Sequence, residues 1–150
     1  MDLTELYRDV ILDHNRSPRN FGRLDPADFA ADGHNALCGD RLHVSLRTDG
    51  SRLNAVRFDG QGCAISVASA SLMTEATQGL KLADVDALYH EIHCLLTQPG
   101  YQPGQDLGKL MALAGVREFP ARVKCASLCW HTLHAALHGS GRSAAPVSTE

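Results

Sequence analysis

No stretch of this 150-residue chain approaches the roughly 20 consecutive apolar residues that cross a bilayer. The first residues, Met1-Asp-Leu-Thr-Glu5, carry acid where a signal peptide carries base. A membrane association is therefore not expected, and the chain reads as a soluble, cytoplasmic protein. Basic clusters are missing as well: 14 Lys and Arg stand against 17 Asp and Glu, for a formal net charge of -3, and they are scattered. Without a basic stripe, nucleic acid is not an expected partner. No internal repeat is found. A disulfide framework is also missing, because five cysteines is an odd count and no two of them have C-x-x-C spacing. A domain of this length buries roughly 70% of its unfolded surface and needs no covalent staple. In a reducing compartment these thiols are ligands, reactive groups or core fillers.

What is present reads as one α+β domain over residues 1–138, with a tail over 139–150 whose Gly, Ser, Ala and Pro content is expected to leave it disordered. Leu3, Leu6, Tyr7, Val10 and Ile11 fall on one face of an amphipathic helix running to about His14. Pro18, Gly22, Pro26 and Gly33 punctuate residues 15–37, which read as a long connection. Leu42, Val44 and Leu46 alternate with polar residues, Asp49-Gly50 supplies a turn, and Val56 and Phe58 follow two apart, predicting a β-hairpin. A helix is expected from Ser66, as N-cap, to Gly79, and another over Leu82 to Thr97. A short helix near Leu107 to Ala114 and a last helix after Phe119-Pro120 complete the reading.

The segment Cys38-Gly39-Asp40 places a thiol and a carboxylate two residues apart just before the first hairpin strand. Two such anions are held together at a cost unless a cation lies between them. Cys63 follows the second strand, after Gly60 and Gly62, and a tight antiparallel turn returns it to the edge that holds Cys38 and Asp40. Cys125, at the start of the last helix, is in a position to complete a tetrahedron. Three thiolates and a carboxylate suit zinc, and thiolates equally suit an iron-sulfur cluster. Buried structural cysteines and a metal-free reactive thiol remain open on spacing alone.

The segments LYRDVILDHNRSPRNFG, CGDRL, DGQGCAISVASASLMTE and GVREFPARVKCASLCWHTL resemble the IscU/NifU N-terminal family, and within it the SufU branch, over about residues 3 to 138. The resemblance implies a small three-stranded antiparallel sheet packed against several helices. It also implies that Cys38, Asp40, Cys63 and Cys125 hold Zn²⁺ or a transient [2Fe-2S] cluster. Two features separate the branches. Lys124 stands before Cys125 where cluster scaffolds of the IscU type carry His, and Phe-Pro-Ala-Arg-Val-Lys replaces the Leu-Pro-Pro-Val-Lys segment that an Hsp70-type chaperone reads. Residues 98–115 match an additional segment of SufU-type proteins. Both imply a zinc-dependent sulfur carrier, a sulfurtransferase that accepts persulfide sulfur on Cys38 from a cysteine desulfurase of the SufS type. A SUF cluster scaffold would lie downstream. The alternatives are an IscU-like scaffold for a [2Fe-2S] cluster and a structural zinc module that only docks to the desulfurase.

On this reading Asp40, a hard donor among soft ones, tunes the lability of the site, and Lys124 offsets the negative charge of four anionic ligands. Cys129, one helical turn beyond Cys125, and Cys94 read as buried, inert thiols. His131, His134 and His138 read as a solvated helix face.

Overall fold

Alternation along the two hairpin strands becomes the centre of the molecule. In the computed structural model, which describes residues 3–138 and 147–148, β2 (Asp40–Thr48) and β3 (Leu53–Gln61) pair antiparallel, with Val44 opposite Phe58 and Leu46 opposite Val56. All four of these side chains are buried, and each contributes about 1.5–3 kcal/mol by leaving water. A further strand, β1 (Phe29–Asn35), pairs antiparallel with the other side of β2. The three form an antiparallel sheet in the order β3-β2-β1, and the two-residue β4 (Val147–Ser148) runs parallel to β1 at Gly33 and His34. Apart from Val147–Ser148, the tail expected to be disordered lies outside the described residues.

Four α-helices and a run of 3-10 turns cover the sheet: α1 (Leu3–Arg16), α2 (Ala64–Thr77), α3 (Leu82–Thr97), the 3-10 run (Gly108–Glu118) and α4 (Pro120–His138). This is the expected α+β architecture. Pro120 occupies the first position of α4, where its missing N–H costs nothing. The helix lies on β1, β2 and α2 and buries Ala126, Leu128, Trp130 and Leu133. The expected short helix near Leu107 is the 3-10 run, which extends further, to Glu118.

Two local readings are corrected. Residues 29–35 form a strand inside what reads as a connection. Phe-Ala-Ala-Asp-Gly-His-Asn has no β-branched residue to announce a strand, and pairing with β2 along all seven residues imposes one. Its glycine has a packing reason: a Cβ on Gly33 would fall 2.1 Å from Thr132 Oγ1, so α4 approaches the sheet over bare backbone. Second, the N-cap of α2 is Cys63, not Ser66, which lies inside the first turn. The connection before β1 is also anchored. Gly22 N–H donates to Phe58 O at 2.7 Å and Phe58 N–H to Asn20 O at 3.1 Å, so the chain straps β3.

Candidate metal centre

Two connections and a helix start meet at one end of the sheet. β1 ends at Asn35 and β2 begins at its cross-strand partner Asp40, so Cys38 lies on the connecting turn, followed by Gly39 at φ +71°. The β2–β3 hairpin brings Gln61 back opposite Arg41, which delivers Gly62 and Cys63 beside Asp40. The Cys63 N–H donates to Asp40 Oδ1 at 2.8 Å. A Cβ on Gly62 would fall 2.8 Å from that same carboxylate oxygen, so this approach needs the glycine. Cys125, in the second turn of α4, comes down from the helical layer.

Donor atoms of Cys38, Asp40 and Cys125 all lie within 4.8 Å of one another, and the Cys125 and Cys38 sulfurs are 3.1 Å apart. Cys63 stands beside this trio, near enough that it helps to raise the pKa of the Cys125 thiol. The four residues singled out in the sequence are thus neighbours, three of them in the tightest group. Their exposure is graded: Cys38 is exposed, Cys63 half-buried, and Asp40 and Cys125 buried. Burial, hydrogen bonds to Cys38, Asp40 and Cys63, and the charge of Cys63 all push the Cys125 thiol well above its ordinary pKa. A site that gathers anion-forming groups and resists their ionisation is one that a thiophilic cation fits. Three soft sulfurs and one carboxylate oxygen fit zinc by donor type. When bound, zinc would hold the thiols as thiolates without itself changing oxidation state.

Two neighbours are not evident from spacing. Arg122 sets its guanidinium near Cys63 and Cys125, and the charge of Cys63 in particular raises the guanidinium's pKa. A cation at the thiols is therefore Arg122, which the sequence reading, looking to Lys124, did not name. The helix explains why: Arg122 is three residues before Cys125 and shares its face, whereas an adjacent residue points about 100° away. That i, i+3 relation was the available signal. Asn35 is the other neighbour; its Nδ2 donates to Asp40 Oδ2 at 3.4 Å and to Cys125 Sγ at 3.6 Å. It follows from the β1–β2 pairing, which the sequence hid.

The other two cysteines are elsewhere. Cys129 is buried against Ser69 and Ala126, and burial pushes its thiol up to about 12. Cys94 lies half-buried on α3, accepting from Gln98 Nε2 at 3.6 Å.

Among the described residues no helix is long and apolar enough to cross a membrane. The sequence matches the model of the NifU-like N terminal domain over residues 6–126. It is 40% identical over 132 residues to a Bacillus subtilis (strain 168) protein named zinc-dependent sulfurtransferase SufU, covering 88% of this chain and 89% of that one. It is 36% identical over 142 residues to the iron-sulfur cluster assembly scaffold protein IscU of Streptococcus pyogenes serotype M1, covering 94% and 88%. A crystal structure from Fervidobacterium islandicum AW-1, described as an iron-sulfur cluster assembly scaffold for the SUF system, superimposes with a TM-score of 0.81 at 29% identity, covering 89% and 97%.

Proposed function

This chain belongs to the NifU-like N-terminal domain family and is of its SufU type, and on that footing we propose that it is a zinc-dependent sulfur carrier for iron-sulfur cluster assembly. Cys38, Asp40, Cys63 and Cys125 are the zinc ligands in this reading, and Cys38 is the sulfur acceptor. The observation that carries it is the grading of exposure across one cluster. The exposed thiol of Cys38 touches the buried thiol of Cys125 at 3.1 Å, so one member can meet a partner while the others stay anchored.

The chemistry is an exchange between sulfurs. The Cys38 thiolate attacks the terminal sulfur of a persulfide on the donor enzyme, the donor's S–S bond breaks, and a new one forms on Cys38. The donor thiolate leaves with the electron pair, and no external oxidant is required. A low-lying cation supports the thiolate form of the neighbouring ligands, and Arg122 supplies one at Cys63 and Cys125. Asp40 accepts the Cys63 N–H at 2.8 Å, so the carboxylate also holds the Cys63 segment in place while Cys38 is engaged.

The donor in this reading is a pyridoxal-phosphate cysteine desulfurase of the SufS type. Leu37, immediately before Cys38, and Phe119, immediately before α4, are large apolar side chains left exposed, a composition suited to a docking rim. A second reading, assembly of a [2Fe-2S] cluster on the same ligands, is favoured by the 36% identity to a protein named as a scaffold. Metal analysis of anaerobically purified protein separates the two: one zinc and no acid-labile sulfide is expected, and a coloured cluster would favour the scaffold. Mass spectrometry after incubation with SufS and cysteine should find added sulfur on Cys38, lost in Cys38→Ala. Persulfide retained in that variant would remove Cys38 from its role.

A further inference from the structure

Far from the thiols, the seam between α3 and α4 gathers five histidines: His90 and His93 from α3, and His131, His134 and His138 from α4. Cys125 and His138 are 13 residues apart on one helix, or about 20 Å at 1.5 Å per residue. Nothing in the sulfur chemistry uses this end of α4.

His134 and His138 have i, i+4 spacing, which stacks two imidazoles on one helical face. Their ring centroids are 4.7 Å apart. Facing them from α3 is Asp86, whose Oδ1 lies 2.5 Å from His138 Nε2. One donor atom from each of the three residues lies within 4.8 Å of the other two. An ion pair between Asp86 and His138 accounts for two members of the group but not for the third. The His134 ring is also oriented, since Tyr89 stacks on it at 4.4 Å with an interplanar angle of 20°. The Tyr89 hydroxyl is fixed in turn against His131 Nδ1 at 2.8 Å, so His131 already has a partner.

We propose that Asp86, His134 and His138 form a second metal site, which takes a borderline divalent transition ion and clamps α3 to α4. Two imidazoles and a carboxylate are a donor set for Zn²⁺, Co²⁺, Ni²⁺ or Cu²⁺, whereas Mg²⁺ and Ca²⁺ require oxygen donors. In four-coordinate geometry, with bonds of about 2.0–2.1 Å, neighbouring donors sit about 3.3 Å apart. Half-exposed side chains reach that spacing from the present one by small rotations. Three protein donors leave the remaining positions to water, so the ion is exchangeable. It binds the folded chain by joining two helices, and so it stabilises the fold. This site is independent of the sulfur-carrier reading, because it shares no residue with the thiol cluster.

The test uses the untagged full-length chain carrying one equivalent of zinc, titrated with Co²⁺ and followed by equilibrium dialysis and absorption. The expected result is one further equivalent of cobalt, without thiolate-to-cobalt charge-transfer bands, and a rise in Tm that Mg²⁺ does not reproduce. Asp86→Asn, which keeps the shape of the side chain, should weaken this equivalent at least tenfold. The double variant His134→Ala/His138→Ala should lose it while keeping its zinc. Melts of the variants without cobalt establish that they fold. Failure of the wild type to bind, binding undiminished in the double variant, or cobalt bands from thiolate would each overturn the proposal.

Discussion

Cys125 and Cys129 lie one turn apart on α4 and are both fully buried, yet the chain surrounds them in opposite ways. Around Cys125 are the Cys38 sulfur, the Asp40 carboxylate, the Cys63 thiol and the Arg122 guanidinium. Around Cys129 are the Ser69 hydroxyl and the Ala126 carbonyl, with Trp130 Nε1–H donating to the same Ser69 oxygen at 3.2 Å. One thiol faces the end of the sheet, where turns bring polar groups together. The other faces the α2–α4 seam, where the Ser69 hydroxyl already donates to the Ala126 carbonyl and accepts from Trp130 Nε1–H. Burial and residue type are equal in the two, so the neighbours make the difference between a ligand and a core filler.

The widest expected gap between these two cysteines is in metal content. Cys125→Ala should lose most of its zinc and, with it, about 3 kcal/mol or more of stability, or roughly 10 °C in Tm, because binding to a folded site is also folding free energy. Cys129→Ala should keep one equivalent of zinc and lose only about 1 kcal/mol of packing. Metal analysis and melts with and without chelator check both. Similar zinc loss in the two variants would break the comparison.

That contrast was legible in part. Glycines beside Cys38 and Cys63, together with a hairpin between them, were enough to bring three ligands to one edge, because antiparallel return is a property of the turn and not of tertiary detail. Strong periodicity likewise marked α3, whose Leu82–Thr97 span is the expected one. Strand β1 stayed hidden because its only large apolar residue is Phe29, and its strand character comes from partners on both sides: β2 in the sheet and α4 over Gly33. Asn35 stayed hidden with it. Arg122 was missed for another reason: adjacency in sequence favoured Lys124, while helical geometry makes the residue three before Cys125 its neighbour.

Within the thiol cluster the next effect is kinetic. Asp40→Ala removes the carboxylate and also the acceptor of the Cys63 N–H, while three sulfurs remain for the metal. Zinc should largely stay, with persulfide gain on Cys38 slowed about tenfold or more, the scale of losses when groups supporting a metal ligand are removed. Time-resolved mass spectrometry beside zinc content gives the answer, and a wild-type rate would make the carboxylate a bystander. A smaller effect separates two cations on α4. Arg122→Gln should slow sulfur uptake severalfold with zinc retained, whereas Lys124→Gln should leave it unchanged. If Lys124→Gln has the larger effect, the face assignment of α4 is wrong.

The smallest effect lies on the packed side of the molecule and sharpens the contrast from there. His14 is buried between α1 and α2, with Nδ1 2.7 Å from Ser71 Oγ and Nε2 3.6 Å from the Glu75 carboxylate. Burial lowers its pKa from the ordinary imidazole value of about 6.5, Arg19 lowers it further, and Glu75 and Asp13 only partly oppose this. The folded chain therefore prefers the neutral ring. Between the folded value and about 6.5 the unfolded chain binds more protons, so stability rises with pH across that window. The contribution of His14 is fully present above about 6.5 and is lost as pH falls through the folded value. Carboxylates titrate mainly below about pH 4.3, so melts between about pH 7.5 and 5 read the imidazoles. His131, also lowered by burial, contributes in the same sense. Tm should fall with acidification in the wild type and fall less in His14→Gln, whose amide can still meet Ser71 but cannot take up a proton. An unchanged slope in His14→Gln would move the acid sensitivity from the α1–α2 seam to the other lowered imidazoles, His131 and His134 on α4, and the buried ring of His14 would then be no part of it.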